Sequence, residues 1–403
     1  MIQIALLGYG VVGRGVARIF AENADILRAS LGEEIAIKSI LVRRDQPGDP
    51  NRDKFVYDFS VIESDPEIQA VVEVIGGTSP AFDYTRRAIL AGKQVITANK
   101  QLVAERGQEL LALARERDVN YLFEASVGGG IPILRPLHEC LNANRISEIY
   151  GILNGTTNYI LTEMIQCGAA FSEALAQAQK LGYAEADPTA DIEGHDACRK
   201  TCILANLASG RETPPEQVPT QGITQVARED VEYARRLGCV VKLLGRVVLG
   251  EDGRVTAYVA PHFLHKTNLL SHVDGVMNGI VVRGNAVGEC LFHGPGAGSL
   301  ATASAVVADV LDAVKHRHRR KDWGWAPAQQ EQLRPARELE CRWFLRTTAN
   351  LAELGAAFGN VHFITFPGAD PGEYAFVTPP MDEARLEALT EGMPLQAKYR
   401  MLD

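Results

Sequence analysis

The first twenty-two residues restrict the fold more than any other stretch. Residues 2–7 (Ile-Gln-Ile-Ala-Leu-Leu) read as a buried strand. Gly8-Tyr-Gly10-Val-Val-Gly13 follows at once, and a helical pattern runs from Arg14 to about Glu22. Strand, glycine turn and helix in that order open a βαβ unit. Gly8 allows the tight turn, Gly10 lets the backbone approach a pyrophosphate, and Gly13 lets helix and strand pack closely. The helix start offers free N–H groups to phosphates, and Val11 and Val12 just before it join the cofactor-site candidates. A dinucleotide-binding domain is therefore expected here.

The alternation continues. Strands are expected over 35–42, 70–75, 94–97 and 119–123, with helices near 80–91 and 99–117. This rhythm predicts a doubly wound parallel sheet of Rossmann type in an α/β protein. Ligands sit at the carboxyl ends of such strands, which places Arg43, Arg44, Gly77, Thr78 and Lys100 among the cofactor-site candidates. Two arginines after the second strand favour NADP(H), and Asp45 beside them keeps NAD(H) as the alternative. Lys100 follows a strand and opens a helix, where a cation is disfavoured by the helix dipole. That conflict points to function rather than to an ordinary surface lysine.

The chain has 403 residues and a net charge of −9, which argues against nucleic acid or an anionic membrane as a partner. Its one basic run, Lys315–Lys321, is expected to end a helix. There is no basic leader at the N-terminus and no apolar run long enough to cross a bilayer. Seven scattered cysteines suit a reducing cytoplasm. Cys198 and Cys202 are expected to be buried small hydrophobes, because no matching Cys/His pair completes a metal site.

Residues 181–200 carry five acids, Glu185, Asp187, Asp191, Glu193 and Asp196, just ahead of Arg199 and Lys200. Pro188 forbids a regular helix through the first half, and Gly194 marks a second break. Helical text follows, so Asp196 and Lys200 share one face. Such a segment can grip an amino group and offer a titrating amine; the plainer reading is a solvated, ion-paired helix start. Two further segments stand out. Glu124–Ile133 contains Gly128, Gly129 and Gly130 in a row, and Gly151–Ile160 joins a strand end to a helix that Gly155, Thr156 and Thr157 can cap.

With these segments in hand, the chain resembles the homoserine dehydrogenase family. The glycine fingerprint, Thr97–Lys100, Glu124–Ile133, Gly151–Ile160, Leu181–Lys200 and Gly294–Gly298 match in order, over about residues 1–320. The resemblance implies a monofunctional NAD(P)-dependent oxidoreductase acting on a CH–OH group. It would interconvert L-aspartate 4-semialdehyde and L-homoserine, on the route to threonine, methionine and isoleucine. It further implies that Glu185 and Asp191 bind substrate with Gly155, Thr156 and Tyr183 beside them. Asp196, Lys200 and Lys100 would serve proton transfer, and Gly296 would touch the cofactor. Backbone carbonyls of Glu124, Val127, Gly129 and Ile131 would hold sodium or potassium. A homodimer or a dimer of dimers is implied as well. Asp196 one turn away favours a charged Lys200, so Lys100 is the expected proton donor, with the reverse assignment open.

The expected domains are 1–130 for the cofactor and 131–320 for substrate and dimerisation, a mixed α/β domain in which 294–320 returns to the cofactor domain. A linker over 320–340 leads to a small α+β module at 340–403. Its βαββαβ order resembles the regulatory ACT domain, yet the Asp-x-Pro-Gly turn after the first strand is missing, so threonine feedback is not expected to follow. Two rival readings remain: a dehydrogenase of another amino acid, which would lack the acidic segment, and a catalytically silent cofactor-binding regulator.

Overall fold

The computed structural model describes residues 1–321, 323–329 and 331–402. By its internal contacts the chain divides into two compact units. One comprises Met1–Ala143, Cys202–Pro215 and Gly294–Gln329; the other comprises Asn144–Thr201, Glu216–His293 and Gln330–Asp403.

The first unit holds six strands: β1 (Ile2–Leu7), β2 (Ile35–Leu41), β3 (Phe55–Val56), β4 (Ile68–Glu73), β5 (Gln94–Thr97) and β6 (Tyr121–Leu122). Their order is β3-β2-β1-β4-β5-β6 and every pairing is parallel. The chain order reverses between β1 and β4, which opens a crevice at their carboxyl ends. Ile4, Leu6, Val71, Val72 and Ile96 are fully buried, as strands covered on both faces require. The short β3 has no periodic signal and was not foreseen. The first helix spans Val11–Glu22 with Gly10 as its N-cap, three residues earlier than expected.

The helix Ser299–Lys315 belongs to this unit. It lies so close to the first helix that a Cβ on Gly15 would crowd the Ser299 carbonyl oxygen. The segment after it carries two anchored indoles. Trp323 and Trp325 are buried, their rings edge-on to Phe123 at 6.0 and 5.6 Å. Two indoles bury too much apolar surface to stay in solvent when Phe123 is within reach.

The second unit is built on a mixed nine-stranded sheet. Its strands are β7 (Ile146–Ile152), β8 (Cys239–Leu249), β9 (Val255–His265), β10 (Met277–Gly284), β11 (Gly288–Pro295), β12 (Trp343–Thr347), β13 (Phe363–Ile364), β14 (Tyr374–Val377) and β15 (Leu395–Leu402). Their order is β11-β10-β7-β8-β9-β15-β12-β14-β13. The tail thus extends the larger sheet: β15 runs parallel to β9, pairing Arg400 with His262 and Leu402 with Leu264. The βαββαβ order is present, and β12 is antiparallel to both β14 and β15. In place of the missing turn, Asn350 caps the helix Leu351–Phe358 by accepting from Ala352 and Glu353, while Glu353 accepts from the Asn350 N–H. This capping box lets the strand enter the helix almost directly. Trp343, Leu345, Leu354, Phe376 and Leu386 form the tail's core, each contributing about 1.5–3 kcal/mol by leaving water.

Candidate active site

A cleft of about 740 Å³ opens at the carboxyl ends of β1, β2 and β4, lined by Gly8, Gly10, Arg43, Arg44, Gly76 and Tyr84 among others. Gly8 has φ of +100°, a conformation that only glycine adopts without strain. A Cβ on Gly13 would collide with the Gly8 carbonyl oxygen, so the third glycine is needed for packing. A Cβ on Gly10 would meet no protein atom; the room there is left for a ligand. Val11, Val12 and Gly13 form the first helical turn, and no side chain caps it. A phosphate fits that open donor set.

Arg43 and Arg44 line the cleft, but Asp45 turns aside. Its carboxylate takes a two-pronged bond from Arg52, at 2.8 and 2.5 Å, and the guanidinium holds the Asp45 carboxyl below the usual range. Arg14 bonds Asp49 at 2.7 Å and also reaches Gln46, fastening the loop after β2 to the first helix.

A buried network joins the ends of β4 and β5. Glu73, fully buried, accepts from the Thr97 hydroxyl at 2.6 Å and from the Ile75 N–H at 2.7 Å. Burial raises its pKa above the ordinary value. Thr97 Oγ1 in turn accepts from the Asn99 N–H, and Asn99 donates to the Gly77 carbonyl at 2.6 Å. The same Asn99 side chain caps the helix that begins at Lys100, accepting from Leu102. Gly77, Thr78 and Lys100 are therefore set by one hydrogen-bonded unit, with Thr78 accepting from Phe82 at the next helix start.

Glu124, Val127, Gly129 and Ile131 lie in one buried loop of the first unit. The Glu124 carboxylate accepts from the N–H groups of Ile133, Leu134 and Arg135 at 2.6, 2.8 and 2.7 Å. Its own N–H donates to Asp309, whose carboxyl is pushed up to about 7 by burial and by the Glu124 charge. Among the described residues no protein donor reaches the carbonyls of Val127, Gly129 or Ile131. Three buried carbonyls left over from hydrogen bonding fit an oxygen-ligated cation. Gly296 presses its carbonyl where a Cβ of Gly129 would be.

In the second unit, Asp196 and Lys200 form an ion pair of 2.7 Å, with 3% and 7% of each residue exposed. Lys200 also donates to the Leu153 carbonyl at 2.7 Å. Asn154 donates through one amide group to Asp191 at 2.7 Å and to Asp196 at 2.8 Å. It is also the N-cap of the helix Gly155–Cys167, accepting from Thr157; the expected caps at Gly155, Thr156 and Thr157 are displaced by it. A Cβ on Gly155 would stand 2.7 Å from the Val276 carbonyl oxygen. Thr156 donates to the Tyr183 carbonyl at 2.7 Å. Tyr183 and Glu185 are exposed, and the Glu185 side chain lies on the surface of the segment. Asp187 spends its carboxylate on Thr189. Cys198 and Cys202 are buried on the same helix, as expected.

Two family models match, described as homoserine dehydrogenase over residues 132–311 and as homoserine dehydrogenase, NAD binding domain, over residues 8–124. A homoserine dehydrogenase of Bacillus subtilis is 42% identical over 78% of this chain and 73% of its own length. The chain belongs to the homoserine dehydrogenase family. Another member, from Synechocystis, is 44% identical over the same shares of each chain. The crystal structure of a homoserine dehydrogenase from Thiobacillus denitrificans superposes with a TM-score of 0.89, at 37% identity, covering 100% of this chain and 98% of that one. A hyperthermophilic archaeal homoserine dehydrogenase in complex with NADPH matches with a TM-score of 0.66 at 30% identity, over 78% of this chain and 97% of that one. The chain is accordingly an NAD(P)-dependent oxidoreductase of the homoserine dehydrogenase kind, with a parallel Rossmann-like sheet and a mixed second sheet.

Sequence reasoning missed three residues that tie the candidate residues of each unit together: Glu73 and Asn99 in the first unit and Asn154 in the second. Asn154 stood inside Gly151–Ile160, and an asparagine directly before Gly-Thr-Thr is an N-cap signal. Glu73 carried a signal too, since a carboxylate ending an otherwise apolar strand must find donors once buried. Among the described residues no helix is long and apolar enough to cross a membrane.

Proposed function

We propose that this chain catalyses the reversible reduction of L-aspartate 4-semialdehyde to L-homoserine, within threonine, methionine and isoleucine biosynthesis in the cytoplasm. One observation supports it most: the buried Asp196–Lys200 pair, tied by Asn154 to Asp191. A small amino-acid substrate needs a carboxylate for its ammonium and a fixed cation for its carbonyl, and this array offers both types of group in one hydrogen-bonded set. Asp191 and Glu185 take the amino end, with Gly155, Thr156 and Tyr183 lining the same place. Lys200, oriented by Asp196 and the Leu153 carbonyl, polarises the aldehyde oxygen. Lys100 donates the proton, or accepts it in the oxidative direction; the exchanged roles of the two lysines are the alternative.

Reduced nicotinamide, when bound, supplies the hydride. Gly8, Gly10, Val11, Val12 and Gly13 hold its pyrophosphate, Gly77, Thr78, Lys100 and Gly296 its nicotinamide half, and Arg43 and Arg44 a ribose phosphate. NADP(H) is the preferred form, because Asp45 is occupied by Arg52 and both arginines face the cleft; NAD(H) is the alternative. Sodium or potassium binds the carbonyls of Glu124, Val127, Gly129 and Ile131. Residues 1–130 form the cofactor domain, 131–320 the substrate domain with 294–320 returning to the cofactor domain, and 340–403 an ACT-like module. The chain works as a homodimer or a dimer of dimers, and neither nucleic acid nor membrane is a partner.

Homoserine oxidation at alkaline pH, followed as absorbance of the reduced nicotinamide with NAD and NADP in parallel, tests the reading. Homoserine-dependent reduction supports it, and the rate ratio decides the cofactor. Cofactor binding without turnover would leave a silent regulator instead.

A further inference from the structure

The nine-stranded sheet carries a second cleft, of about 470 Å³, that contains none of the candidate active-site residues. Residues 257–260 of β9, the segment 219–221, the segment 333–337, and Glu383 and Arg400 of the tail line it. Backbone hydrogen bonds hold these stretches in place. Gln221 donates to Val259 at 2.8 Å and Val259 to Pro219 at 2.9 Å, while Arg334 donates to Val255 at 2.8 Å. The cleft is therefore preformed, in the size range of small-molecule sites.

Its chemistry is cationic. Arg334, Arg337 and Arg400 line it with Glu383 as the carboxylate of the lining, and Arg334 also bonds the Glu338 carboxylate at 3.3 Å. The Glu383 carboxylate is already bonded to Arg400 at 2.5 Å and to Lys398 at 2.7 Å. Arg400 is only 8% exposed, with its guanidinium over the rings of Tyr258 and Trp343 at 4.7 and 4.5 Å. Its Nε is buried with no acceptor among the described residues, and the two rings hold the guanidinium rigidly at the cleft wall. Ala257, Val259, Leu333 and Pro335 supply apolar lining. A compact molecule bearing carboxylates fits this set, since guanidinium and carboxylate match in charge and geometry.

The chain directly after the lining residue Gln221 is bonded to the acidic turn. Beyond Gln221, Ile223 donates to the Ile192 carbonyl at 2.8 Å, and a Cβ on Gly222 would collide with Ile192. Gly194 abuts Thr220 and Val259, both of which line the cleft. Ile192–Gly194 stands between Asp191 and Asp196. A ligand pressing on Thr220 and Gln221 therefore acts on the backbone that spaces those two acids.

We propose that this cleft is a regulatory site for a small di- or tricarboxylate, which on binding stiffens the turn between Asp191 and Asp196. The binding half of the proposal stands on the cleft alone; the regulatory half rests on reading Asp191 and Asp196 as parts of the active site.

Calorimetric titration of the full chain with succinate and with citrate tests the binding, with uncharged succinamide as control. The R334A/R337A double variant alters two partly or fully exposed side chains outside the sheet. The expected result is a saturable heat with at least one carboxylate and none with succinamide. Affinity falls about tenfold or more in the double variant, as the loss of charge-assisted bonds implies, while homoserine turnover without carboxylate is unchanged. Amide exchange over 192–196 and 219–223 slows on binding. No heat with either carboxylate at about 10 mM, far above a specific Kd, would overturn the proposal. So would affinity that the double variant leaves intact, or binding that saturating homoserine abolishes. Because calorimetry and exchange need no turnover, failure of the functional reading would show separately, as absent homoserine oxidation with binding retained.

Discussion

Asn154 donates to Asp196 at 2.8 Å from the same amide nitrogen that bonds Asp191 at 2.7 Å, so one side chain sets the separation of two carboxylates. The Asn154 oxygen meanwhile caps the following helix. Replacing it by alanine removes the cap, worth about 1 kcal/mol, and removes one bond from each acid. The Asn154→Ala variant is expected to remain folded while kcat/KM for homoserine drops on the order of 100-fold, the scale of a small misplacement of reacting groups. Steady-state kinetics beside a melting curve check this; near-normal kcat/KM would refute the tether.

The two lysines should separate by stability. Lys200 is buried against Asp196, and its removal leaves a buried carboxylate without its cation, at a cost of about 3–5 kcal/mol. Lys100 is half-buried at a helix start. Lys100→Ala is therefore expected to lose turnover with little change in Tm, and Lys200→Ala to lose both. Equal melting curves for the two variants would contradict the assignment of Lys200 as the buried structural partner.

Cofactor preference should follow Arg43 and Arg44. Charge reversal in R43E/R44E is expected to raise KM for NADP about tenfold or more, since each charge-assisted bond is worth about 1.5–3 kcal/mol, and to spare KM for NAD. Matching losses with both cofactors would place the arginines away from a ribose phosphate.

Gly13→Ala drives a methyl group into the Gly8 carbonyl. Overpacking of this kind costs about 1–3 kcal/mol. Cofactor affinity, measured by nicotinamide fluorescence, is expected to fall together with Tm. An unchanged Tm would mean that helix and turn have room to shift.

His262 supplies a pH dependence. It is fully buried, bonded to the Tyr258 hydroxyl and the Ala260 carbonyl, and burial lowers its pKa to about 3, with the charges of Arg246 and Arg400 adding to the effect. Between about 6.5 and that value the unfolded chain binds a proton that the folded chain refuses. Stability is complete above the unfolded pKa and lost as pH falls through this window, by up to roughly 5 kcal/mol. Urea melts of the wild type and His262→Gln from pH 7 to 4 check the sign; the variant should show the shallower slope. Parallel slopes would rule out His262 as the source.

Local signals in this chain were legible wherever the pattern was also the cause. Strand β1 and the glycine turn, β5 at Gln94–Thr97 and the tail helix Leu351–Phe358 all follow from apolar runs and breakers within a few residues. The Asp196–Lys200 pair was legible for the same reason, because helical spacing alone brings the two together. β3 and the burial of Trp323 and Trp325 were not, since each depends on a partner far along the chain.

The amino-acid order by itself determined the parallel first sheet and which residue types stand at strand ends. Periodicity and turn chemistry act over a single turn or pleat, so they survive without knowledge of the fold. Tertiary structure decided the rest. It turned Asp45 toward Arg52, joined Glu73 to Asn99 through Thr97, hung two acids on Asn154, and merged the tail into the larger sheet through β15 and β9. Those outcomes come from buried polar groups that had to find partners, and the partners lie 24 to 42 residues away in the Glu73–Thr97 and Asn154–Asp196 bonds. Such pairings are chosen by packing in three dimensions, where a one-dimensional pattern carries no record of them.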